Sequence, residues 1–204
     1  MELVFVRHGQ SMGNMTGDYS IETSDRLSPL GWEQAERLVQ RLERKNFEAI
    51  YVSPLRRALE TALPFLKSTG RTAEVWPRLA EACWQQDRDA QPPEKRLPRL
   101  PLDLPSGADG HYEIPSDFLM PYEDETYPEG LSRIAETAQM LRNLYGGRPV
   151  SILILGHGHA GGRLIEMMLG REVIGSFGHA NTAHSRLLER DDGTFELVEQ
   201  NVLD

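Results

Sequence analysis

The stretch VSILILGHG, residues 150–158, decides how this chain folds. Ile152, Leu153, Ile154 and Leu155 follow one another without the alternation of a strand that has one wet face. Such a run fits a strand buried on both sides, as in a parallel sheet. It ends abruptly on Gly156-His157-Gly158. Two other runs have the same form. Residues 3–6, LVFV, lead into Arg7-His8-Gly9, and residues 50–52, IYV, lead into Ser53-Pro54-Leu55-Arg56-Arg57. A shorter apolar stretch, residues 73–76, precedes Leu79-Ala80-Glu81.

Helix-period patterns lie between these runs. In residues 28–44 the apolar positions Leu30, Ala35, Leu38, Val39 and Leu42 fall on one face. Ser28-Pro29 supplies an N-cap and a proline at the first helical position. Ser53-Pro54 repeats that signature ahead of Ala58, Leu59, Ala62 and Leu63, and Pro64 is expected to kink or end the helix. Residues 130–145 and 159–169 carry two more helical patterns. In the tail, residues 185–188 and 195–198 flank Asp191-Asp192-Gly193 and read as a hairpin. Strands alternating with helices predict one α/β domain over residues 1–204, layered α/β/α around a mostly parallel central sheet.

Residues 85–128 break the rhythm. They hold eight of the thirteen prolines and no clean period, so they form neither a helix nor a core strand. A loop of this length inside a compact domain usually has a job. The insertion at about 85–130 is therefore expected to be a lid over the active site.

The totals narrow the class of partner. A chain of 204 residues can bury a substantial core. The formal net charge of −9 argues against nucleic acid or an anionic membrane as the main partner, because both attract basic surfaces. It leaves room for a small anion held by a few converging arginines. The single cysteine, Cys83, excludes an intrachain disulfide. The N-terminal residues lack a basic start and a long apolar region, and no apolar run approaches a membrane span. A cytoplasmic location is expected. The oligomeric state stays open.

In open α/β sheets ligands bind beyond the carboxyl ends of the strands. If the three runs are parallel, Arg7, His8, Arg56, Arg57 and His157 share one sheet edge with two helix N-termini. Guanidinium forks bind phosphate oxygens, helix starts favour anions, and glycines allow close approach. That chemistry suits a phosphoryl group. A neutral imidazole can attack phosphorus, cations can stabilise the non-bridging oxygens, and a carboxylic acid such as Glu81 can protonate the leaving alcohol. The scheme calls for no cofactor and no metal. Each residue alone has an ordinary explanation as a turn, surface or core residue. Arrival of Arg and His after three separate runs is harder to assign to chance.

The motifs resemble those of the histidine phosphatase superfamily, the phosphoglycerate-mutase-like proteins. RHGQSMGN at 7–14 resembles the family's RHG-x-S-x-x-N opening. LSPLGWEQAERL at 27–38 and SPLRRALETA at 53–62 resemble two further segments, RLAE at 78–81 the segment of the proton donor, and LGHG at 155–158 that of the second histidine. The resemblance implies His8 as the phosphorylated nucleophile, with Arg7, Arg57 and His157 completing the phosphate pocket. It implies Ser11, Asn14 and Gly158 as substrate contacts and Glu81 as general acid, later the base that activates water. The implied activity is hydrolysis of phosphate monoesters of small metabolites. The sequence departs from the family at His159-Ala160-Gly161-Gly162, where His159 either lines the pocket or turns away, the second being the expectation.

Two other readings come from the same residues. A phosphoglycerate mutase would use His8 to shuttle phosphate, but such mutases carry tryptophan signatures absent from the opening motif and from residues 18–26. A non-catalytic phospho-ligand binder would have no need of Glu81 opposite His8. His157-Gly158-His159 has the spacing of a metal-binding pair, yet Gly161 and Gly162 stand where further ligands are wanted. Cys83 is followed six places on by Asp89 rather than arginine, so no cysteine-phosphatase loop is present.

Overall fold

The computed structural model describes residues 1–203. Glu2–Arg7 (β1) is followed by a short helix, Met12–Thr16 (α1), and a longer one, Pro29–Leu42 (α2). Ala49–Val52 (β2), Arg56–Thr69 (α3) and Ala73–Val75 (β3) come next. Then come Tyr112–Glu113 (β4), Tyr127–Tyr145 (α4), Ser151–Gly156 (β5) and Gly158–Met168 (α5), and His184–Glu189 (β6) and Phe195–Val202 (β7) complete the order.

The seven strands form one sheet in the order β4-β3-β2-β5-β1-β6-β7. The first five in that order are parallel neighbours, whereas β6 and β7 add on antiparallel as a hairpin. Register aligns the strand ends: Val6 and Val52 both lie opposite Leu155. The residues that follow β1, β2 and β5 therefore emerge side by side.

Both faces of the sheet are covered, which is why its central strands are apolar throughout. Leu3, Phe5, Ile152 and Ile154 pack with Ile134, Ala138 and Leu141 of α4 and Leu164 and Ile165 of α5. The alternate residues Val4, Val6, Leu153 and Leu155 pack with Leu38 and Leu42 of α2 and Leu59, Ala62 and Phe65 of α3. Each such fully buried leucine or phenylalanine contributes about 1.5–3 kcal/mol. No helix among the described residues is long and apolar enough to cross a membrane.

Several local expectations are corrected. Leu30 is exposed rather than part of the inward face of α2, which buries Gly31, Ala35, Leu38 and Leu42. Pro64 does not end α3; the helix runs on to Thr69 because Leu63, Phe65 and Leu66 are buried on both sides of the proline. That packing offsets the roughly 3 kcal/mol cost of an interior proline. Ser28 does cap α2, its hydroxyl accepting from Gly31 N–H. Ser53 does not cap α3, which starts at Arg56 with Leu55 as its cap residue.

Most of residues 85–126 has no regular structure, yet the segment is tied down. β4 pairs in parallel with β3, and Tyr112 donates its hydroxyl to Leu59 O over 2.5 Å. Leu102 and Phe118 pack against the core beneath α3. Ion pairs join Arg56 to Asp103, Arg96 to Asp124 and Glu129, and Arg133 to Glu125.

Candidate active site

The RHG turn is seated by two glycines packed back to back. A Cβ on Gly31 would lie 2.1 Å from Gln10 O, and one on Gly9 would lie 2.8 Å from Gly31 O. Only hydrogen atoms fit there, so the start of α2 presses against the loop that follows β1. Thr61 of α3 completes the seat: its hydroxyl accepts from Gly9 N–H (2.9 Å) and donates to Arg57 O (2.6 Å). The loop carrying His8 and the turn carrying Arg57 are thereby fixed to each other.

His8 is buried, and its two ring nitrogens have distinct partners. Nδ1 lies 2.6 Å from Gly9 O, which can only accept. Arg57 Nε lies 3.1 Å from Nε2 and can only donate. The proton therefore sits on Nδ1 and the lone pair on Nε2. Burial, then the charges of Arg57 and Arg7, hold the His8 pKa well below its ordinary value, so the ring is neutral. Asn181 Nδ2 donates to His8 O (3.0 Å) and steadies the backbone.

His157 stands beside it, the ring centroids 5.1 Å apart. Its Nε2 shares a hydrogen bond with Ser53 Oγ (2.6 Å), so the serine after β2 orients this imidazole instead of opening a helix. Burial, with Arg57 next, lowers the His157 pKa well below its usual value. Its Nδ1 is buried and has no hydrogen-bond partner. The same is true of Arg7 Nε, while Arg7 Nη1 donates to His179 O (2.6 Å). A Cβ on Gly158 would lie 3.5 Å from Arg7 Nε, in the space beside that free donor. Two polar atoms without partners next to the His8 ring are what a ligand oxygen would satisfy.

Both helix starts at this sheet edge are occupied by carboxylates of the chain. Asp25 Oδ2 accepts from Arg56 N–H at the start of α3 (2.8 Å), and Asp25 Oδ1 pairs with Arg57 Nη1. Glu81 Oε1 accepts from Ala160 N–H (2.9 Å) and Oε2 from His159 N–H (3.4 Å) at the start of α5. The helix ends expected to face an anion thus serve to hold Asp25 and Glu81. Burial pushes the Glu81 carboxyl up, but the hydrogen bonds from His159 and Ala160 and the charge of Arg57 outweigh it, and the net shift is downward.

Ser11 and Asn14 are near but engaged. They form the capping box of α1: Ser11 Oγ accepts from Asn14 N–H, and Asn14 Oδ1 accepts from Ser11 N–H. Asn14 Nδ2 also donates to Tyr19 Oη (2.9 Å). Against expectation, His159 does not turn away. Its half-exposed ring puts Nδ1 3.6 Å from Glu81 Oε2. The glycines after it answer to packing: a Cβ on Gly161 would strike the Phe5 ring at 1.9 Å, and one on Gly162 would meet Phe177 O at 2.5 Å. Among the described residues, no group of three His, Cys, Asp or Glu side chains could hold a metal ion. Nothing in the sequence marks Asp25 or Asn181, and Ser53 reads there only as a helix cap, since each acts on a residue distant in the chain.

Comparison with known proteins places the fold and the family. The model of the family "Histidine phosphatase superfamily (branch 1)" matches residues 3–203. Phosphoserine phosphatase 1 of Hydrogenobacter thermophilus is 41% identical over 63 residues, 31% of this chain and 30% of that protein. A second protein of that organism is 39% identical over 79 residues, 39% of each chain, so the matched segments span well under half of these curated relatives. The alpha-ribazole phosphatase of Shigella flexneri superposes with a TM-score of 0.70 at 20% identity, over 100% of this chain and 97% of that one. A variant phosphoserine phosphatase of Entamoeba histolytica, solved with phosphoserine, gives 0.68 at 23% identity over 100% and 98%. At these identities the solved structures establish the shared fold, and the family match from residue 3 to residue 203 establishes the lineage: the chain belongs to the histidine phosphatase superfamily.

Proposed function

We propose that the protein is a metal-independent phosphatase that hydrolyses phosphate monoesters of small metabolites through a phosphohistidine on His8. The observation that carries this reading is the state of the His8 ring: neutral, buried, with its Nε2 lone pair beside the Arg57 guanidinium. A neutral nucleophile next to fixed cations is what attack on an anionic ester requires.

In the first step Arg57 Nε–H leaves Nε2 for a phosphate oxygen, and the freed lone pair forms the N–P bond while the ester P–O bond breaks. The departing oxygen takes the proton of the Glu81 carboxyl. Arg7, Arg57 and His157 hold the three non-bridging oxygens, with Arg7 Nε and His157 Nδ1 gaining the partners they lack. Gly158 leaves room beside Arg7. Ser11 and Asn14 shape the loop around the phosphate through their capping box. In the second step water adds to phosphorus, the N–P electron pair returns to Nε2, and the Glu81 carboxylate accepts the water proton. The net change is ester plus water to alcohol plus phosphate.

Glu81 is ionised in the resting protein. A phosphate dianion arriving within a few ångströms raises the carboxyl pKa, and that lets the same group act as acid in the first step and base in the second. Residues 85–130 wall the pocket as a lid. The named relatives make phosphoserine the first substrate to try. The test is phosphate release from a panel of phosphorylated metabolites, with 3-phosphoglycerate and a bisphosphoglycerate primer as the mutase arm. Phosphate release that persists in EDTA supports the reading. Isomerisation of phosphoglycerate without net release, or no turnover of any ester, would contradict it.

A further inference from the structure

Residues 96–105 of the insertion, RLPRLPLDLP, have a period of their own. They run without helix, strand or turn, and among the described residues no backbone hydrogen bond joins one of them to another. Arg96, Arg99, Leu102 and Pro105 are the sheltered members, and every residue between them is exposed. Shelter at every third position is the mark of a polyproline II helix, which has three residues per turn and no internal hydrogen bonds. The sequence imposes that form. Pro98, Pro101 and Pro105 fix φ at about −65°, and each pushes the leucine before it out of the α region.

The rod is held near both ends. Leu97 N–H donates to Asp124 Oδ2 (3.0 Å), and Leu97 O accepts from Glu123 N–H (2.9 Å). At the far end Arg56 Nη1 donates to Leu104 O (2.6 Å). One row of this threefold prism therefore faces the domain and two rows face solvent. The solvent rows carry Leu97-Pro98 and Leu100-Pro101, two apolar pairs three positions apart, with Leu97 57% and Leu100 80% exposed. A contiguous apolar surface held in order against water marks a contact site. Pro98 and Pro101 have no N–H, so a strand from another molecule cannot pair along this stretch. What it presents is side chains at polyproline II spacing, the form read by grooves lined with aromatic rings. We infer that residues 97–101 are a docking element for a protein domain with such a groove, of the SH3 kind. The two Leu-Pro pairs fill successive clefts between the rings. The exposed Lys95, three positions before Pro98, meets an acid beside the groove. The strap is already ordered in the free protein, so docking loses little chain entropy.

The test titrates the full-length protein into a set of purified SH3 domains and follows the NMR shifts of each domain. At least one is expected to bind saturably, with shifts confined to its aromatic groove. Leu100→Glu is expected to weaken that binding by about tenfold or more, the size of one leucine no longer buried. Leu97→Glu is read in the same way, so the result does not hang on one variant. Leu119→Glu alters an equally exposed leucine elsewhere in the insertion and is expected to leave binding unchanged. All three side chains are exposed, so thermal melts should stay near the wild type. No binding by any domain of the set, shifts outside the groove, binding indifferent to Leu100→Glu and Leu97→Glu, or an equal loss in Leu119→Glu would overturn the inference. Self-association of the wild type that Leu100→Glu abolishes would overturn it too, because the exposed rows would then belong to a second copy of this chain.

Discussion

Arg57 Nε donates to His8 Nε2 across 3.1 Å, so the charged side chain at the start of α3 meets the imidazole after β1 at the nitrogen that carries its lone pair. Asp25 holds the other end of the same guanidinium. This geometry needs a planar fork as well as a positive charge. Arg57→Lys keeps the charge and loses the Nε–H. With phosphate bound that donor turns to a non-bridging oxygen, so we expect kcat to fall by about 10²–10³, the usual cost of removing one donor from a developing charge. Steady-state kinetics on an aryl phosphate checks it; a lysine variant within a few-fold of wild type would show that charge alone suffices.

Glu81 and His159 lead to a prediction about pH. Burial raises the Glu81 carboxyl, and the contact with His159 is the first of the influences that bring it down. Replacing His159 by asparagine removes that contact, so the Glu81 pKa should rise. For an alkyl phosphate, whose leaving group needs a proton, the descending limb of kcat/KM against pH should then move to higher pH. An aryl phosphate, with a good leaving group, should show a smaller change. An unmoved limb for the alkyl ester would detach His159 from the acid.

Stability should also depend on pH, with a definite sign. Burial lowers the pKa of His8 and of His157 well below the usual value, and lowers His179 to about 4. In the unfolded chain each takes up a proton near pH 6.5, so below that pH the unfolded state binds more protons and stability falls with acidification. Each such group contributes a slope of about 1.4 kcal/mol per pH unit between its two pKa values. Denaturant unfolding at pH 7.5 and 5.5 should therefore show a marked loss, and His157→Asn should lessen it. Equal losses in wild type and variant would mean the imidazole is not held neutral.

Gly31→Ala tests the seat of the RHG turn. The added Cβ would lie 2.1 Å from Gln10 O, a backbone atom that moves only with the loop. Overpacking of this kind costs about 1–3 kcal/mol. A thermal melt should show the loss, and activity should drop with it because His8 lies just before Gly9 and Gln10 in the same loop. A variant as stable and active as wild type would show that the loop and α2 are free to separate.

The strand ends were legible because an unbroken apolar run followed by polar residues is a local signal, and parallel register then carries Arg7, His8, Arg57 and His157 to one edge. What escaped depends on pairs far apart in the chain. Asp25 sits 31 positions before Arg56, and nothing around it marks it as a partner of that helix start. Ser53-Pro54 reads as a helix cap wherever it occurs, and only the closeness of His157 shows where its hydroxyl goes. Leu30 fits the helical period of α2 yet faces solvent, because the period marks a face without saying how far cover extends. In residues 85–130 no periodicity betrays β4, which exists because β3 offers an open edge.

The central claim is covalent bonding of phosphorus to His8, and trapping that intermediate tests it most directly. The protein is mixed with radiolabelled phosphate ester, quenched in alkali within milliseconds, and digested. We predict an alkali-stable, acid-labile label on the peptide that contains His8, formed at a rate no slower than turnover and lost in His8→Ala. Turnover without any label, or a label carried by another residue, would contradict it.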